Sequence, residues 1–232
     1  MKTCLKSGVL CVLFLAIVGT NVSLGVTKAA LHSDMRKLWE DHVTWTRLYI
    51  VSAVAGLPET DLTAQRLLKN QEDIGNAVAS FYGREAGDKL TKLLKDHILI
   101  AAELVGAGKA GDQTKTADAQ KRWYANADEI ASFLSKANSK HWPLATMQSA
   151  MKTHLDQTLA EATYRIQGKY DQDIKNYEQI HQHILMLADT LSDGIIAQFP
   201  AEVQWRTDVI RLFVLSSANA SPGRDSRMPA RR

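Results

Sequence analysis

An all-α fold, six helices gathered into one bundle, is expected from three features of the chain. All five prolines, at 58, 143, 200, 222 and 229, stand where helices would start or stop. The stretches between them are rich in Ala, Leu, Lys, Gln and Glu, which form helices readily. No segment sustains the period-two alternation of a half-buried strand. With 232 residues and 45% hydrophobic composition the chain has enough apolar material for a sizeable core.

Taken from the start, residues 1–25 read as a secretory signal peptide. Lys2 and Lys6 supply a charged beginning, Val9 to Val18 an apolar run, and Ser23-Leu24-Gly25 or Thr27-Lys28-Ala29 small residues for cleavage. The apolar run is shorter than the ~20 residues of a comfortable membrane span, so no transmembrane helix is expected in the mature chain. Both cysteines, Cys4 and Cys11, lie in this segment. A processed chain would hold no disulfide, thiolate metal site or cysteine nucleophile. Secretion, or another location outside the cytoplasm, is the expected compartment.

Six helices follow, over about 32–56, 60–82, 85–107, 114–137, 142–167 and 170–198. The first carries the seam Leu31, Met35, Leu38, His42, Trp45, Tyr49 and Ser52, in steps of three and four. The third carries Leu90, Leu93 or Leu94, His97, Ala101 and Leu104; the fifth carries Met147, Met151, His154, Thr158 and Ala162. Gly106, Gly108 and Gly111 are read as a flexible interhelical loop: their GxGxxG spacing lacks the strand that a dinucleotide fingerprint needs. Ala201–Leu215 is apolar enough for a short segment docking on the bundle, a membrane surface or a partner. Residues 216–232 are polar and read as a disordered basic tail. Charge is uneven: 1–25 carry +2 and 216–232 carry +3 of the net +3, leaving −2 between. A nucleic-acid footprint is therefore absent from the expected folded part.

The histidines expose an internal repeat. His42 and His97 are 55 residues apart, and His97 and His154 are 57 apart. Asn70-Gln71-Glu72-Asp73-Ile74 aligns with Asn126-Ala127-Asp128-Glu129-Ile130, and Ile180-His181-Gln182-His183-Ile184 follows. The unit is an αα-hairpin of about 55 residues present three times, over 31–83, 84–138 and 142–198. In an antiparallel hairpin, residues equidistant from the turn lie level. That places His42 with Asp73, His97 with Glu129 and His154 with His183, a polar layer across the middle of the bundle.

Imidazoles and carboxylates at one level suit a transition metal ion or a small ligand, with His42, Asp73, His97, Glu129, His154 and His183 as candidate metal ligands. Asp41, Asn70, Asp96 and Asn126 would orient the ring nitrogens. The competing reading is a layer that only fixes helix register, in a cell-envelope or extracellular protein working through a surface partner. An enzyme is less expected. Only one Glu-x-x-His occurs, Glu178 to His181, and His181 and His183 diverge by about 200° on a helix. His-Glu-x-x-His, the GxxxxGK[ST] phosphate loop and the GxSxG elbow are missing. Trp39, Trp45, Trp123 and Trp142 are read first as packing, and as ligand-stacking surfaces second.

The strings Leu38-Trp39-Glu40-Asp41-His42-Val43-Thr44-Trp45-Thr46-Arg47, Lys95-Asp96-His97-Ile98-Leu99, Trp123–Ile130 and Leu191–Ile196 resemble a family of small exported helical proteins of Gram-positive spore-forming bacteria. The likeness spans roughly residues 31–200. Members carry names that include glycosyltransferase and acetylglutamate kinase. The resemblance implies export and an all-helical fold. It brings no reaction with it, because the usual glycosyltransferase needs an α/β nucleotide-binding core and this chain has no βαβ pattern.

Overall fold

The computed structural model describes residues 26–204. The signal-peptide reading of 1–25, the basic tail of 216–232 and all but the first few residues of the 201–215 segment lie outside the described residues. Six helices form: α1 (Lys28–Ala55), α2 (Thr60–Tyr82), α3 (Arg84–Ala110), α4 (Gln113–Ala137), α5 (Leu144–Ile166) and α6 (Tyr170–Gln198). Helix α1 starts earlier than expected because the Thr27 side chain accepts a hydrogen bond from the Ala30 amide. Helix α3 runs through Gly106 and Gly108, which corrects the loop reading. It stops only at Gly111, whose φ of +71° ends the hydrogen-bond ladder. Gly56 and Gly168, at +69° and +70°, serve the corresponding turns. The chain also makes a short extended pairing the sequence did not announce. β1 (Val26–Thr27) runs parallel to β2 (Val203–Gln204), and Val203 is buried.

Each helix packs on its neighbour in sequence, and α6 closes back on α1. Helices α1, α3 and α5 also touch one another, so the odd-numbered helices form the inside of a closed ring. The main apolar core holds Met35, Trp39, Ile74, Leu90, Ile130 and Ile195 and lies toward the β1–β2 end. A separate cluster of Ile50, Val105 and Ala162 lies toward the glycine turns. The interruption between the two is polar. Leu31, Met35, His42 and Ser52 of the expected α1 seam are buried, but the face is turned slightly: Trp39, Val43 and Ile50 join them, while Leu38, Trp45 and Tyr49 are half-exposed.

Helices α2 and α3 approach closely because glycines face each other. A Cβ on Gly75 would lie 2.7 Å from the Gly87 carbonyl oxygen, and one on Gly87 would lie 2.6 Å from the Gly75 carbonyl oxygen. Neither backbone can yield without separating the helices. Gly75→Ala is expected to cost about 1–3 kcal/mol despite the better helix propensity of alanine. Chemical denaturation of the variant measures this, and a gain in stability would refute the close approach.

Candidate functional site

The three inner helices bring His42, His97 and His154 together on the bundle axis. All three are nearly fully buried. The His154 ring lies between the others, with centroids 5.6 Å from His42 and 6.5 Å from His97. Trp39 meets His42 edge-on at 5.7 Å, and Trp123 lies 5.2 Å from His97. His97 Nδ1 donates to Asn126 Oδ1 at 2.8 Å, and Asn126 Nδ2 donates to the Leu93 carbonyl at 3.1 Å. His42 Nδ1 receives the Gln71 amide at 3.3 Å. That amide also meets the Leu67 carbonyl and Asn70 Oδ1, while Asn70 Nδ2 donates to the Leu38 carbonyl. His154 Nδ1 is buried without a partner.

Burial holds these rings neutral. It lowers the His42 pKa to about 3, with the charge of His97 acting the same way and the Gln71 contact opposing. It lowers His97 to about 4 against the Asn126 hydrogen bond. His154 is drawn well below its ordinary value, first by burial and then by the other histidines. A neutral imidazole costs far less to bury than a charged one.

The rest of the expected ligand set stands elsewhere. Asp73 faces outward to Lys69 at 2.9 Å, because it is two positions and about 200° beyond the inward-facing Gln71. Glu129 is exposed. His183 Nε2 donates to the Ala150 carbonyl at 2.9 Å and stays half-exposed. Asp41 pairs with Lys37, and Asp96 with Lys92, each at 2.6 Å on the surface, so neither orients a ring. Asn126 does hold a histidine, and Asn70 acts through Gln71. Among the described residues no group of three or more His, Cys, Asp or Glu side chains is arranged to hold a metal ion. The six-ligand metal centre is therefore corrected to a triad of neutral histidines.

Two features next to the triad had no place in the sequence reading. A cavity of about 80 Å³ lies on its glycine-turn side. Its walls include Ile50, Leu67, Ile98, Val105, Leu159 and Ala162, with Trp123 beside His97 and exposed Thr163 at the outer edge. Positions four and eight after each histidine supply much of this wall, which places it on the same axis. The second feature is a buried ion cluster between α1, α5 and α6. Arg47 reaches Glu161 at 2.6 Å and Asp173 at 2.7 and 3.2 Å, and Arg165 lies 3.5 Å from Asp173. Glu161 and Asp173 are almost completely buried. Burial raises the Glu161 pKa to about 7, with Arg47 pulling the other way. Glu161 lies on the α5 stripe of Met151, His154, Thr158 and Ala162, so a charge at an apolar position was its readable signal. Arg47, also placed over the Tyr177 ring at 4.7 Å, carried none.

No protein-family model matches the chain, and neither the curated proteins nor the solved structures contain a match to it. The site must be read from its own chemistry. Among the described residues no helix is long and apolar enough to cross a membrane.

Proposed function

We propose that the protein is an exported helical bundle that binds a small apolar molecule in the axial cavity beside the histidine triad. The cavity carries this reading. A core that needed only packing would close it, since each missing methylene group costs stability. A space on the axis, reaching an exposed edge and lined by short side chains at equivalent positions of three helices, suits an occupant better than a packing fault. The volume is about half that of the ~150 Å³ engineered cavity that takes benzene, so it suits a very small molecule or the end of a longer one.

The reading includes a threefold repeat. In each hairpin a polar side chain on the outer helix donates to the carbonyl four residues before the inner histidine: Asn70 to Leu38, Asn126 to Leu93, and His183 to Ala150. That recurrence supports three copies of one unit, each contributing one ring to the axis.

The test is a titration with 2-methyl-1-butene, followed by melting temperature. A saturable rise is expected, because a ligand that binds only the folded state stabilises it. Ala162→Leu fills the space and should abolish the rise while the unliganded variant remains at least as stable as the parent. If the parent shows no saturable rise with this probe or with its ketone counterpart 2-butanone, the binding reading fails and the triad is left with a role in packing.

A further inference from the structure

The walls of the cavity differ in what they offer a ligand. Four threonines line it, and each has spent its only hydroxyl proton on its own helix. Thr46 donates to the His42 carbonyl and Thr158 to the His154 carbonyl, both at 2.8 Å. Thr116 donates to the Asp112 carbonyl at 2.7 Å and Thr163 to the Leu159 carbonyl at 2.8 Å. Tyr49 is half-buried at the wall. Trp123 is different: it is 2% exposed, and its Nε1 is buried without a hydrogen-bond partner. Indole nitrogen can only donate, so a carbonyl, ether or water oxygen must meet it or its desolvation goes uncompensated. Trp39 Nε1 is also unpartnered, but the space beside it is about 10 Å³, at the threshold for a single water. Trp123, unlike Trp39, lines a space large enough for a small organic molecule.

We infer that the cavity takes a small apolar molecule bearing one hydrogen-bond acceptor, of the ketone, aldehyde or ester class, whose oxygen receives the Trp123 indole N–H. The inference rests on the binding reading above and adds the ligand's chemistry to it. An alcohol could also accept from the indole, but it brings a proton of its own that would need a threonine oxygen as acceptor. A carbonyl compound brings only acceptors and meets the unspent indole donor of Trp123.

A matched pair of probes tests this. 2-Butanone and 2-methyl-1-butene share one shape and differ in C=O against C=CH₂. Both are titrated into the full chain and into Trp123→Phe, which removes the donor and keeps an aromatic ring beside His97. Butanone affinity is expected to fall about 3- to 10-fold in Trp123→Phe, the range a single hydrogen bond supplies, with the alkene changed by less than about 2-fold. In the ¹⁵N-Trp-labelled parent, butanone should move one indole N–H resonance downfield, and the alkene should not. Equal losses for both probes, or none for either, would overturn the acceptor inference while leaving the binding reading intact. An indole resonance unmoved at butanone saturation would overturn it too, with water as the partner of the indole. Failure of both probes to bind the parent removes the binding reading and this inference with it.

Discussion

Between pH 6.5 and pH 4.5, stability is expected to fall by roughly 5 kcal/mol. The cause is the triad. An unfolded chain protonates its histidines below about pH 6.5. The folded chain does not, because burial holds His42 at about 3, His97 at about 4 and His154 well below the ordinary value. Depressed folded pKa values contribute stability above the unfolded value and lose it as pH falls. Glu161 works in the opposite sense. Its folded pKa of about 7 lies above the unfolded 4.5, so its contribution is present at low pH and lost as pH rises. In the window the unfolded state gains three protons on histidine and lacks one on Glu161, a net of two. A loss of this size is comparable to the whole stability of many domains. Urea titrations at half-unit pH steps give the slope directly.

His154→Leu separates the triad from other acid effects. His154 Nδ1 has no hydrogen bond to lose, so an apolar side chain of similar volume should be neutral or mildly stabilising at pH 7. Its slope should drop to about one proton, worth about 2–3 kcal/mol at pH 4.5. An unchanged slope would mean that the acid sensitivity arises elsewhere.

The helices were legible because their signals are local. Capping residues, prolines and positive-φ glycines act over a turn or two, and most helix ends fall within about three residues of their expected places. The site was legible only along the axis. Counting outward from the turns puts Asp73 and Glu129 near the level of the histidines, and they are near it. Height says nothing about direction, and about 100° of rotation per residue sends Asp73 to Lys69 while Gln71 turns inward. The same rotation exchanged Trp45 for Trp39 on the buried face of α1. The cavity and the Arg47 cluster depend on which helices meet, information no single segment contains. Arg47 and Asp173 are 126 positions apart, and nothing local to Arg47 announces the pair.

Replacing that arginine should produce a large loss of stability. Arg47→Met leaves Glu161 and Asp173 buried without their main counter-charge, with only Arg165 at 3.5 Å from Asp173. Breaking a buried pair from one side costs about 3–5 kcal/mol, because the surviving charge keeps its desolvation penalty. The loss should depend on pH. Without Arg47, the force pulling the Glu161 pKa down is gone, so Glu161 holds its proton at still higher pH. Stability of the variant should therefore climb as pH falls from 8 to 6.5, where the parent is nearly flat, before the triad takes over. Glu161→Gln makes the complementary change. It keeps the shape and the Arg47–Asp173 pairing and removes the proton that offsets one histidine. Its loss at pH 7 should be about 1 kcal/mol, and its acid slope should steepen from two protons toward three. Parallel pH profiles for the parent and Glu161→Gln would mean that Glu161 does not take up a proton in this window. A flat profile for Arg47→Met would say the same of the cluster without its arginine. Divergent profiles would show the cluster and the triad titrating against each other, with Glu161 setting how much acid the bundle tolerates.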